Sequence, residues 1–456
     1  MTRHITVIGG GLAGSEAAYQ LASRGVSVRL HEMRPSASAP AHHGGDLAEL
    51  VCSNSFKSDD PATAAGMLKR ELATLGSLVL ACARGTAVAA GGALAVDRRR
   101  FARLVTSVIE ADPLIEVVRD EVTSLPDGDV ILATGPLTSD ALSGAISGVI
   151  GAARLAFYDA AAPVVDAATI DREVCFAASR YDKGEGADYL NCPMDRDEYE
   201  RFHAALVAAD RVKAREFESA DLFPACQPAE EIARRGLDAL RFGAMKPVGL
   251  TDPRSGLRPW AVVQLRAENR EGTAYNIVGF QTNLTFGEQD RVLRMIPGLD
   301  RAEFLRHGVM HRNTFVDAPR LLTGDLAVRT RPSVRIAGQL AGTEGYLEAA
   351  AAGLVAALGA VAARAGQPPV LFPRETALGA LLAYATDPAT SPYQPMHVNF
   401  GLVPPLVPPV RGKRERYAAY ADRGSAAMGA FEAARTDLLL GEARVRVERD
   451  VAKALA

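Results

Sequence analysis

Residues 5–32 read ITVIGGGLAGSEAAYQLASRGVSVRLHE: a short apolar strand, then Gly9-x-Gly11-x-x-Gly14, a helical stretch, a second strand and a closing acid. Few folds accommodate that order. Gly9 allows the tight turn, Gly11 lets backbone approach a pyrophosphate, and Gly14 lets the helix lie close on the strand. Gly10, Leu12 and Ala13 belong to the same turn, where the helix start offers free N–H groups and a partial positive charge to phosphates. Glu32, eighteen residues after Gly14, stands where a ribose hydroxyl would be held. These residues predict an α/β, Rossmann-like domain that binds a dinucleotide. Because the unit begins at residue 4, no targeting segment is expected ahead of it, and the expected location is cytoplasmic.

With 456 residues, 48% of them hydrophobic, the chain has material for two or three domains and a large core. The most apolar stretch, residues 346–363, is alanine-rich and contains Glu348, so no membrane role is expected. Cys52, Cys82, Cys175, Cys192 and Cys226 are irregularly spaced. They give neither a disulfide framework nor a Cys-x-x-Cys metal pattern, which leaves free-thiol chemistry and no metal. A formal charge of −3 provides no global attraction for a polyanion, so an RNA partner would need a local basic patch.

Two later segments bear on which dinucleotide is bound. Residues 129–135, DVILATG, look like the short second fingerprint of FAD-dependent proteins and end on Gly135. Residues 335–338, RIAG, followed by Gln339, a short glycine-containing piece and Tyr346, lead into an alanine-rich helix from Leu347. That pattern looks like the late flavoprotein motif, in which a helix N-terminus faces the flavin and its dipole stabilises the electron-rich reduced ring. Gly338 is the glycine of this motif. Together the three segments favour FAD over NAD, with the nucleotide fold built from both ends of the chain.

The middle of the chain differs. From 165 to 322 it is richer in charge and aromatics, with turn-forming pieces between strand-like runs at 260–265 and 275–280 and a helical stretch at 195–217. This predicts an α+β domain of residues 165–322 inserted into an FAD-binding domain of residues 1–164 and 323–456. The proline-rich piece 403–410 should be extended and exposed.

Two cysteines stand in unusual company. Cys52 lies in ELVCSNSF, and Cys226 in FPACQPAEEIA just before an expected helix start. A thiol near a helix N-terminus is favoured as thiolate and becomes a better nucleophile. Cys82, Cys175 and Cys192 read as small buried hydrophobes.

The phrases ELVCSNSF, GGALAVDR, ATGPLTS, ASRYDKG, YLNCPM, MKPVGL, VGFQTNLTFGEQ, GVMHRNTF, AGQLAGTEGY and YQPMHVNFGLVP resemble the bacterial folate- and FAD-dependent tRNA uracil-5-methyltransferase family known as TrmFO. The resemblance runs from residue 4 to about residue 408. It is distantly shared with the GidA (MnmG) flavoproteins. It implies methylation of a T-loop uridine of tRNA to ribothymidine. The carbon comes from methylenetetrahydrofolate, and the reducing equivalents come from NADPH or NADH through FAD.

On this resemblance Cys226 is the nucleophile that adds to uracil C6 and makes C5 nucleophilic, and Cys52 is the base or proton carrier that removes the C5 proton. Tyr346 is expected to pack on the flavin. Folate needs a ring to stack on and a cation for its glutamate, and His311, Arg312 and Asn313 fit those needs, with His311 as the stacking group. For RNA phosphates the visible clusters are Arg98, Arg99 and Arg100, which could instead contact FAD or NADPH, and Lys413, Arg414 and Arg416. If both cysteines reach one uridine, the site is an interdomain cleft over the flavin. Uridine methylation in ribosomal RNA, a flavin-dependent folate oxidoreductase, and a noncatalytic RNA-folding role stay open, as do the nicotinamide preference and the oligomeric state.

Overall fold

The leading strand, His4–Ile8, sits inside a six-stranded sheet. Ser27–His31 and Ile115–Val118 follow in parallel on one side, Val130–Leu132 and Arg331–Ile336 on the other, and Ala327–Val328 closes that edge antiparallel. Val7 pairs with Leu30 and Ile131, and all three are fully or almost fully buried, as expected for a parallel sheet covered on both faces. The structure, a computed structural model, describes the chain apart from residues 1–3, 38–41, 43, 151–154, 161, 185–186, 213–226, 270, 309 and 392; at 149–150, 155–160, 182 and 310–314 it describes the backbone alone.

Helices Leu12–Ala22 and Tyr346–Arg364 pack against each other at the sheet. Glycine is a steric requirement here. A Cβ on Gly14 would lie 1.7 Å from the Gly9 carbonyl oxygen, and one on Gly353 would lie 2.0 Å from that of Ala13. Tyr346–Arg364 is long and apolar enough to cross a membrane, but 83% of its most apolar window is buried inside the protein, so it acts as a core helix. The last two helices, Lys413–Ala434 and Leu440–Leu455, fold back on the first domain. Arg446 pairs with Asp112 and Asp450, and the Tyr19 hydroxyl donates to Asp450 at 3.1 Å.

A second, antiparallel sheet runs Phe176–Ala177, Tyr189–Met194, Ala261–Ala267, Ala274–Ile277, Val164–Asp166, Phe304–Arg306. With helices Arg196–Ala208 and Phe286–Leu293 it encloses its own core around Phe202, Val263, Leu265 and Phe280. The helix expected at 195–217 is shorter. Asp195 and Glu198 form a reciprocal capping box at its start, it ends at Ala208, and 213–217 lie outside the described residues. Between the two sheets the outgoing and returning chain pair as strands Leu155–Ala160 and Met310–Phe315. The proline-rich piece 403–410 forms neither helix nor strand; Val403 is buried and Val407 is exposed.

One buried carboxylate makes the fold pH-sensitive. Glu71 accepts the Ala377 and Leu378 N–H groups at 2.7 and 2.8 Å, capping helix Ala377–Thr386, and burial pushes its carboxyl up to about 7. A raised acid binds its proton more tightly folded than unfolded, so stability should fall as pH rises from about 4.5 to about 7 and then level off. Glu71→Gln should flatten that segment by up to about 3 kcal/mol. Urea denaturation of both proteins across this pH range checks it, and parallel curves would refute it.

Candidate active site

The nucleotide end of the site follows from the glycine turn. Gly9 holds φ +99°, and a Cβ there would lie 2.6 Å from the Ala133 carbonyl oxygen; a Cβ on Gly11 would meet nothing within 4 Å, so the turn opens into space. Helix Leu12–Ala22 starts from Gly11 with no side-chain cap, which leaves its first N–H groups for a ligand. The cavity in front of it is lined by Gly9, Gly11, Glu32, Arg34, Thr134 and Leu142. Glu32 accepts the Gly10 N–H at 2.8 Å on one oxygen and the Arg34 N–H and Nε at 3.0 and 2.8 Å on the other. Burial works against its charge, but the Arg34 hydrogen bond and guanidinium hold the carboxyl below the usual carboxylate range. Gly135 and Gly338 also take positive φ, +66° and +74°, and Gln339 Nε2 donates to Glu344 Oε1 at 2.8 Å.

Cys52 is half-buried, and its peptide is held on both sides. The Tyr346 hydroxyl accepts the Cys52 and Ser53 N–H groups at 3.0 Å each and donates to the Ser53 carbonyl at 2.8 Å. From the other side Arg306 Nη2 donates to the Cys52 carbonyl at 3.1 Å and Arg98 Nη2 approaches it at 3.4 Å, while Arg98 Nη1 donates to the Leu50 carbonyl. Arg98 Nε in turn pairs with Glu268 at 2.9 Å, and Arg266 Nε donates to Asn54 Oδ1 at 2.8 Å. Asn54 Nδ2 bridges the Val96 and Ala267 carbonyls, one from each half of the molecule.

Three arginines and one glutamate therefore share a buried space beside Cys52. Burial opposes every one of these charges. Glu268 is nonetheless held below the usual carboxylate range by Arg98, whereas Arg266 and Arg306 are pushed below the usual guanidinium range, Arg306 also by the Arg98 charge. Glu268 Oε1 and Arg306 Nε are buried with no partner among the described residues. A buried group left unpaired in a cationic pocket marks a place for a polar or anionic ligand.

Arg98 does not fit the expected role of an RNA contact. Its guanidinium is turned inward onto Glu268 and the Cys52 segment, where the buried carboxylate and two backbone carbonyls satisfy it. Arg99 and Arg100 are exposed, as are Lys413, Arg414 and Arg416. Cys226 lies outside the described residues. His311, Arg312 and Asn313 lie on strand Met310–Phe315, their backbones opposite Asp159, Tyr158 and Phe157; their side chains are outside what the structure describes. Cys82 is buried, and Cys175 and Cys192 are buried side by side with their sulfurs 3.2 Å apart.

Residues the sequence did not single out are Asn54, Arg266, Glu268, Arg306 and the pair Lys57–Glu348 at 2.7 Å. Asn54 stands two residues after Cys52 and could have been flagged from that neighbourhood; the others carry no local signal. Because the Tyr346 hydroxyl satisfies two N–H groups and one carbonyl, Tyr346→Phe should cost about 1–3 kcal/mol and loosen the segment. Iodoacetamide should then alkylate Cys52 several-fold faster than in wild type, as followed by peptide mapping. An unchanged rate would show that the tyrosine does not restrain the thiol.

Comparison with known proteins gives a consistent result. The family model described as GIDA, glucose inhibited division protein A, matches residues 4–368. The chain is similar to methylenetetrahydrofolate–tRNA-(uracil-5-)-methyltransferase TrmFO of Thermosynechococcus vestitus, 55% identical over 92% of each chain. It is likewise similar to the TrmFO proteins of Pelobacter propionicus, 54% identical over 94% of this chain and 95% of the relative, and of Geobacter sulfurreducens, 54% identical over 93% and 98%. Among solved structures, the GidA of Aquifex aeolicus in its form II crystal superposes with a TM-score of 0.68 at 17% identity, covering 94% of this chain and 73% of that one. That likeness supports the fold, a Rossmann-like domain carrying an insertion. Identity above one half along nearly the whole length goes further: the chain belongs to the TrmFO family, within the GidA group.

Proposed function

We propose that this protein methylates C5 of a T-loop uridine in tRNA. It would draw the carbon from methylenetetrahydrofolate and the electrons from NADPH or NADH through FAD, and work in the cytoplasm. The observation that carries the reading is the Cys52 segment. In a chain of this family, the backbone of a half-buried cysteine is held by Tyr346 on one side and by Arg98 and Arg306 on the other.

FAD fits the residues present. The uncapped helix start and the open space at Gly11 suit a pyrophosphate, and Glu32, at the cavity wall, suits a ribose. Gly9, Gly10, Gly14, Gly135, Gly338 and Gln339 would shape the rest of that site. When bound, the reduced flavin supplies the hydride equivalent that turns the transferred methylene into a methyl group. Residues 1–164 and 323–456 would form the FAD-binding domain and 165–322 the insertion, so that Glu268 and Arg306 reach the flavin domain from the insertion.

The chain's own groups account for the uridine chemistry. Uracil C5 is a weak nucleophile. Addition of the Cys226 thiolate to C6 places the electron pair on the enolate and makes C5 able to attack. After the C–C bond forms, a base removes the C5 proton and that electron pair expels the carrier nitrogen from the methylene; hydride addition to the resulting exocyclic carbon then expels the Cys226 thiolate, giving the methyl group and restoring the ring. Cys52 is assigned to the C5 proton. His311, Arg312 and Asn313 are assigned to folate. The exposed cations Arg99, Arg100, Lys413, Arg414 and Arg416 are available to RNA phosphate.

Purified protein incubated with unmodified tRNA, labelled methylenetetrahydrofolate and NADPH should place label in 5-methyluridine. Cys226→Ala should abolish it, and Cys52→Ala should slow it by about 10²–10⁴-fold, the usual contribution of a positioned acid or base. Folate turnover without labelled RNA would point instead to a flavin-dependent oxidoreductase.

A further inference from the structure

A second cleft, of about 980 Å³, opens in the antiparallel half of the molecule, and none of the residues assigned above lines it. Its walls come from the start of helix Arg196–Ala208, the turns at 241–248 and 252–260, and the end of strand Tyr189–Met194. Lys246 belongs to the MKPVGL phrase and Met194 to YLNCPM, two stretches on which the family resemblance rests and for which the flavin and thiol chemistry gives no use.

The lining holds five basic residues against three acidic ones, in a chain whose formal charge is −3. Three of the cations are occupied. Arg254 pairs with Asp252, Arg196 with Glu200, and Arg241 with Asp238 while lying 3.7 Å above the Trp260 ring. Lys246 and Arg258 are exposed, and neither side chain has an ion pair or hydrogen bond among the described residues. Phe242, on the same lining, stands 81% exposed. The walls are held rigidly: Met245 N–H donates to the Leu240 carbonyl at 2.9 Å, Val262 N–H to the Met245 carbonyl at 3.1 Å, and Trp260 N–H to the Met194 carbonyl at 3.0 Å. Unpaired cations, an exposed aromatic face and a preformed groove are what a single-stranded or looped nucleic acid requires, phosphates on the cations and a base on the ring.

We infer that this cleft is a docking site for the tRNA substrate, with backbone phosphates on Lys246 and Arg258 and one unstacked base on Phe242. The inference rests on the methyltransferase reading and adds to it where, on a mildly acidic protein, the RNA is gripped.

The test uses the full-length protein and an in vitro transcribed, unmodified tRNA. In Lys246→Gln/Arg258→Gln, affinity at low salt should fall at least tenfold. The slope of log affinity against log salt should shrink by about 1.4–1.8, the loss of two phosphate contacts. Phe242→Ala should weaken binding by about five- to a hundredfold at an unchanged slope, as loss of one stacked base does. All three side chains are exposed, so melting temperatures should match wild type. Wild-type affinity and slope in the variants, with wild type methylating the tRNA, would overturn the cleft and leave the enzyme reading intact. A wild-type protein that neither binds nor methylates the tRNA would overturn both.

Discussion

The buried pair between Arg98 and Glu268 is the contact on which the rest of the site depends. It joins the α/β half to the antiparallel half across 170 residues of sequence, and both side chains are largely withdrawn from water. Such a pair contributes little net stability, because desolvation offsets most of the attraction; removing one partner is what costs, about 3–5 kcal/mol, by stranding the other charge. Its value lies in position. Arg98 also holds the Leu50 and Cys52 carbonyls, so the same charge that ties the two halves together fixes the backbone at Cys52.

Tyr346 completes this arrangement from the opposite direction. It is the first residue of the core helix whose Gly353 lies against Ala13 in the phosphate-binding helix. The nucleotide turn, the core helix and the Cys52 segment are therefore one mechanical unit: Gly353 sets how closely the two helices approach, the helix sets where the tyrosine hydroxyl stands, and the hydroxyl sets the thiol's backbone. The course of the Cys52 backbone is therefore decided by packing rather than by a free loop.

What could be read in the sequence was whatever one short stretch encodes by itself. The turn at Gly9, Gly11 and Gly14, the positive-φ positions Gly135 and Gly338 and the helix after Gly345 each announce themselves through steric demands within a few residues. The arginine–glutamate cluster could not be read that way, because Leu50, Arg98, Glu268 and Arg306 meet only after two sheets have formed. Arg98 in particular sits in a run of three arginines that resembles a solvated basic face, yet only Arg99 and Arg100 are exposed. The helix expected at 195–217 ends at Ala208 for a similar reason. Charged residues continue the pattern past Ala208, but Ala209 turns extended and its side chain is buried in the second core.

In the proposed reaction two thiols divide the labour, Cys226 adding to the base and Cys52 handling the C5 proton. Replacing the target uridine with 5-fluorouridine separates them, because fluorine cannot leave as a proton and the adduct stays attached to whichever sulfur attacked C6. With methylenetetrahydrofolate and NADPH present, peptide mapping should find the RNA on Cys226, both in wild type and in Cys52→Ala, where the missing base is no longer needed. An adduct on Cys52, or its loss in Cys52→Ala, would contradict the assignment.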